Sequence, residues 1–231
     1  MGDAFNAYPQ ANASNNQILE LTHPPTKIEY ICSYTHTKPV IMKIFFALAA
    51  LAFLTAFDGS MNGIKIGSSE GTVKKLTLKQ VIHTEGMYKY RTNNGNDFSV
   101  TLEEGKVVYM ENDWLQKPEG AQSLLPGFTF GKTTLRDIRQ RFGSKGFVYA
   151  ENQNMVTKTH LLEFTCYETT SLNNEVLVVV TKIPFSTTVG ENTDVSRLLT
   201  LDAIVIAKAD YLEYLWGAQK AYSTGYKKIM L

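Results

Sequence analysis

The chain has 231 residues, of which 44% are hydrophobic and 19% charged, a makeup that excludes a wholly disordered polymer and supplies a core for one or two domains. Its 23 Lys and Arg against 22 Asp and Glu leave a formal net charge of +1, so no global field points to nucleic acid or to an anionic membrane surface.

In chain order, the segment Met1 to Ile41 is rich in Asn, Thr, Pro and Ala, has no sustained apolar period, and reads as disordered or as an upstream extension of the reading frame. At Met42 to Ala56 the run MKIFFALAALAFLTA places Lys43 before an apolar stretch, Ile44 to Leu54, followed by the small residues Thr55 and Ala56. This is the order of a secretory signal peptide, and the apolar run is short of the roughly 20 residues a membrane span needs. The expectation is cleavage after Ala56, a mature domain over 57–231, and a periplasmic or secreted location without stable membrane insertion. Leu54 at the third position before the cut is bulkier than usual there. Of the two cysteines, Cys32 lies upstream of the signal and Cys166 in the mature part, so no internal disulfide is available after cleavage.

The mature part contains two similar decapeptides, TLKQVIHTEG at Thr77 to Gly86 and TLRDIRQRFG at Thr134 to Gly143. Each reads as a short helix, with Thr77 or Thr134 at the N-cap and Gly86 or Gly143 at the left-handed position beyond the C-terminus. Gln80 suits a capping box in the first copy, and Asp137 suits the positive helix end in the second. Strand patterns follow each copy. Met87 to Thr92, Phe98 to Leu102 and Lys106 to Glu111, with turns at NNGND and EEG, form a meander. Phe147 to Ala150, His160 to Glu168, Val176 to Ile183 and Leu199 to Ala207 follow the second copy, the VLVVV run reading as a strand buried on both faces. Trp114 to Pro126 reads as a linker. Beyond Asp210 both periods fit; the reading adopted is a strand continuing to Trp216, a break at Gly217, and a last strand near Tyr226 to Leu231.

These features predict an α+β fold in which two tandem helix-plus-β-hairpin units, about 64–115 and 127–216, build one antiparallel sheet with helices on one face. The segment GFTFGKTTLRDIRQRFGSKGFVY, Gly127 to Tyr149, with its weaker copy around Thr77, resembles the β-lactamase inhibitory protein fold and the outer-membrane assembly lipoproteins of the SmpA/BamE type. That resemblance implies an inhibitor or an envelope-assembly factor. The chain lacks the lipobox Cys of the lipoproteins and the paired cysteines of the inhibitor.

Motifs for chemistry are sparse. Gly131-Lys132-Thr133-Thr134 resembles the end of a phosphate loop, but Pro126 stands where the first Gly of that pattern belongs, and a helix cap is the better reading. Cys166 with His160 suggests a nucleophile and base for an exported hydrolase, yet on a strand the two lie about 20 Å apart. His83 and His160 lack partners at ligand spacing, so no metal or cofactor is expected. Glu103-Glu104 reads as a hairpin turn. What remains is aromatic: Tyr88, Tyr90, Tyr109, Trp114 and Tyr149 form either a recognition surface or core packing. The expected function is an exported, non-enzymatic protein that binds a protein partner through an aromatic-rich sheet face, with a Cys166 hydrolase or a small-ligand carrier as alternatives.

Overall fold

A computed structural model describes residues 58–115, 121–152, 154–170 and 174–230. The chain divides into two units, Met1–Leu48 and Ala49–Leu231, and every described residue belongs to the second. The expected leader, Met1 to Ile41, and the signal-like segment Met42 to Ala56 lie outside the described residues.

The second unit is built on an antiparallel sheet. In chain order its strands are β1 (Lys79–Thr84), β2 (Met87–Arg91), β3 (Asp97–Glu103), β4 (Lys106–Asp113), β5 (Phe147–Tyr149), β6 (Asn154–Val156), β7 (His160–Glu168), β8 (Glu175–Pro184), β9 (Thr200–Lys208) and β10 (Lys220–Tyr222). Their spatial order is β1-β2-β3-β4-β9-β8-β7-β5-β10, with β6 also pairing with β7. The described helices are α1 (Glu70–Val73), α2 (Leu135–Phe142) and α3 (Ala209–Trp216), with a single 3₁₀ turn at Val195–Arg197. The fold is therefore mainly β, and the expected α+β arrangement of two tandem helix-plus-hairpin units is corrected. With it falls the resemblance to the inhibitory protein and the assembly lipoproteins.

The correction begins at the first decapeptide. Residues Lys79–Thr84 form an edge strand whose six residues are all exposed. The β-branched Val81, Ile82 and Thr84 favour a pleated edge over a helix. Gly86, at φ +75°, is the turn between β1 and β2 rather than a helix terminator, and its carbonyl accepts from Leu102 N–H at 2.7 Å. The second decapeptide is the helix its punctuation implies. Thr134 Oγ1 accepts from Asp137 N–H, the Asp137 carboxylate accepts from Thr134 N–H, and Gly143 closes the helix at φ 60°. The two copies share letters but not structure.

The helices also lie on opposite faces. Along β8, Leu177 and Val179 join one core with Ile138 of α2, while Val176, Val178 and Val180 join a second core with Leu212 of α3. The central strand is thus buried on both sides, as its unbroken VLVVV run implies. Each such apolar side chain contributes about 1.5–3 kcal/mol of transfer free energy. The tail is likewise corrected: Ala209–Trp216 is a helix, because Leu212 and Trp216, four residues apart, form one stripe against the β8–β9 surface. The final strand is β10, and Ile229 makes only an isolated parallel bridge with Thr169. The linker following Trp114 is partly packed, with Ala121, Ser123 and Leu125 buried.

Candidate functional site

The five aromatic residues singled out from sequence fall in separate places. On β2 the inward positions alternate, so Tyr88 and Tyr90 share a face, but they are 1% and 2% exposed. Their rings lie nearly parallel, and their hydroxyls donate to the Glu70 carboxylate and, at 3.1 Å, to the Val73 carbonyl. Both thus fasten α1 onto the sheet. Tyr109 projects from the other side of β4 against Tyr211, and burial first, then Glu111, pushes its hydroxyl pKa well up. Trp114 follows β4, where its backbone N–H donates to the Asp202 carbonyl at 2.9 Å and Lys182 Nζ lies 4.6 Å from its ring centroid. Tyr149 is fully buried, edge-on to Phe147 and Trp216. The structure does not join these five into one exposed surface.

Cys166 is 1% exposed, on β7 opposite Val178 and Phe147. Burial raises the thiol pKa far above its ordinary value, so the group stays protonated at neutral pH and is no nucleophile. His160, six residues away on the same strand, contacts Thr159 Oγ1 through Nδ1 at 2.8 Å. His83 stacks on Tyr88, with ring centroids 4.4 Å apart. Among the described residues no three His, Cys, Asp or Glu side chains are grouped to hold a metal ion.

The most built site is one the sequence did not announce. Where β7 ends, α3 begins and β10 closes the sheet, a cleft of about 690 Å³ is lined by Glu168, Glu175, Glu213, Lys220, Lys228 and Asn174, among others. Glu168 is its hub. Tyr226 Oη donates to Oε2 at 2.6 Å and Tyr222 Oη donates to Oε1 at 3.1 Å, while Lys228 and Lys220 stand 3.5 and 3.6 Å from the same carboxylate. Burial alone would raise the Glu168 pKa, but the two hydroxyls and two ammonium groups outweigh it and hold it below its ordinary value. Lys220 also pairs with Glu213 at 3.1 Å and lies 5.5 and 5.6 Å from the Phe147 and Tyr149 ring centroids. Its pKa moves up, because the Glu213 carboxylate overrides the loss of solvent. Glu175, also in the lining, has its pKa raised by burial, which outweighs the opposing charge of Lys65.

This arrangement offers fixed charges of both signs beside aromatic surface. That suits recognition of a polar or charged partner group, and the cleft lining contributes no thiol, imidazole or serine nucleophile. Glu168 lies more than fifty residues from its two tyrosines, so no local spacing advertised the cluster. The available signal was the density of Tyr and Lys in AYSTGYKK, Ala221 to Lys228.

No protein-family model matches the chain, and no curated protein matches it. Among solved structures the chain is similar to an extracellular protein containing an SCP domain from Bacillus anthracis, at 14% identity, over 70% of this chain and 50% of that one, with a TM-score of 0.34. The chain spans half the length of that structure, and a likeness at this level carries neither fold nor activity across. Among the described residues no helix is long and apolar enough to cross a membrane.

Proposed function

We propose that the chain is an exported protein that binds another macromolecule, a protein partner, through the cleft and rim formed by β7, α3 and β10. The export half of this reading rests on the signal-like run Met42 to Ala56. The binding half is carried by the cleft of about 690 Å³, whose charged walls are prearranged by the Glu168 hydrogen bonds. Exposed apolar and aromatic groups lie on the same elements: Tyr222 is 50% exposed, Leu215 45% and Tyr214 83%. Rings that are rigid and partly wet make favourable anchors, since little side-chain entropy is lost on contact.

The test compares the full chain with a Tyr214→Ala/Tyr222→Ala variant in affinity capture from envelope or culture fractions, with Val81→Thr on the distant β1 edge as control. A partner lost by the first variant and kept by the second supports the cleft. Equal capture by all three rejects it. Mass spectrometry of the N-terminus of the exported product tests the address, with a terminus at Phe57 expected and one before Met42 counting against it.

A further inference from the structure

The first four strands join the rest of the sheet through one ladder, β4 against β9. On one side of β4, Tyr109, Glu111 and Asp113 project together, and the β9 residues across from Glu111 and Asp113 are Val205 and Ala203. β9 therefore supplies no charge to balance the two carboxyl groups. On the other flank, Glu111 lies opposite Ser99 and Asp113 opposite Asp97 of β3. Among the described residues the cations beside this row lie on β2, and both are already engaged: Lys89 Nζ is 3.1 Å and Arg91 Nε 2.8 Å from the carboxylate of Asp97, which is itself buried. Beyond the ladder, Lys182 is committed to Asp202 at 2.5 Å and to the Trp114 ring. From α3 the facing group is Tyr211, which contacts Tyr109. Among the described residues three carboxyl groups thus share two cations, and one negative charge is left over in a half-buried row.

We propose that a proton shared between Glu111 and Asp113 acts as a latch on the β4–β9 seam, and that its loss in alkali places two unneutralised carboxylates side by side and loosens the pairing of the two halves of the sheet. The protonated Asp113 carboxyl donates to Glu111, so the two side chains carry one negative charge between them. Burial, then the charge and hydrogen bond of Glu111, push the Asp113 pKa up to about 8. In the unfolded chain the same group titrates near 3.8. The folded state therefore holds the extra proton between those values. The latch is fully made below the lower value and is given up as pH rises through the upper one.

The full chain labelled with ¹³C at aspartate carboxyls, together with urea unfolding from pH 5 to 9, tests this. One aspartate resonance is expected to titrate above pH 7 and to be missing in Asp113→Asn. The folded-to-unfolded ratio of the wild type should fall relative to Asp113→Asn by up to about tenfold per pH unit from pH 5 and level off above about pH 8. The amide of the variant donates to Glu111 at every pH, so its curve lacks that fall. Glu111→Gln should return the Asp113 midpoint toward the acid range. Parallel pH curves for wild type and Asp113→Asn overturn the proposal. If Asp113→Asn does not fold, the wild-type spectrum decides alone, and the absence of any aspartate midpoint above about pH 6 overturns it.

Discussion

Replacing Glu168 by Ala tests how strongly the C-terminal segment is held to the sheet. The side chain is 22% exposed and accepts two tyrosine hydroxyls, one from Tyr226 at 2.6 Å and one from Tyr222 at 3.1 Å. A hydrogen bond to a charged group contributes roughly 1.5–3 kcal/mol when shielded, and the Tyr226 bond belongs near the lower end of that range. Tyr222 is half-exposed, so its bond falls to about 0.5–1 kcal/mol. Lys228 is 59% exposed in its side chain and adds little, while Lys220 keeps Glu213 as a partner. The sum is a loss of about 2–3 kcal/mol, equivalent to roughly 5–10 °C in Tm for a domain of this size. Urea unfolding monitored by tyrosine and tryptophan fluorescence measures it. Tyr226→Phe alone should cost about 1–1.5 kcal/mol, and the double variant should show a coupling of roughly 1 kcal/mol in a mutant cycle. A Glu168→Ala loss under about 0.5 kcal/mol would refute the reasoning, because the hub would then be a solvated surface group.

Three further outcomes follow from the same geometry. Since the Glu168 pKa is held below 4.5, its contribution is present above that value and lost as pH falls through the lowered one, so the wild type should lose more stability than Glu168→Gln below about pH 4 in urea titrations. Gly131→Ala should destabilise by about 2–5 kcal/mol and shift tryptophan emission, because a β-carbon there would stand 2.2 Å from the Trp114 ring and the backbone is at φ +70°. A phosphate loop would instead show altered binding of inorganic phosphate. Cys166 should resist alkylation in the native protein and react only on unfolding, and Cys166→Ala should leave partner capture unchanged, since the thiol is enclosed.

Local physics carried the legible parts. Residues Thr134 to Gly143 contain every element of their own helix: an N-cap threonine, an aspartate to complete the capping box, and a glycine for the left-handed exit. The meander strands, the EEG hairpin with Glu104 and Gly105 at positive φ, and the doubly buried β8 were similarly written in turn residues and apolar runs. Thr77 to Gly86 misled because caps and glycine punctuate hairpins as well as helices. Its neighbour β2, bonded from Lys79 to Thr84, settled which of the two would form. The tail after Lys208 was undecided for a related reason. Either period placed apolar groups plausibly until the β8–β9 surface selected Leu212 and Trp216.

The candidate sites show the same division more sharply. Sequence by itself determined a chain with a signal-like run, one cysteine beyond that run, no metal spacing and abundant tyrosine, and so it settled the inventory of side chains. It did not determine which tyrosines would be wet. Tyr88 and Tyr90 vanish beneath α1, whereas Tyr222 stays half-exposed beside Glu168. Nor did it mark Glu111 and Asp113, whose i, i+2 spacing is ordinary for a solvated strand. Their coupling arises because the β4–β9 register puts Val205 and Ala203 opposite them, while Asp97 engages both Lys89 and Arg91. Burial and charge balance depend on contacts between residues far apart in the chain, and only the tertiary fold decides those.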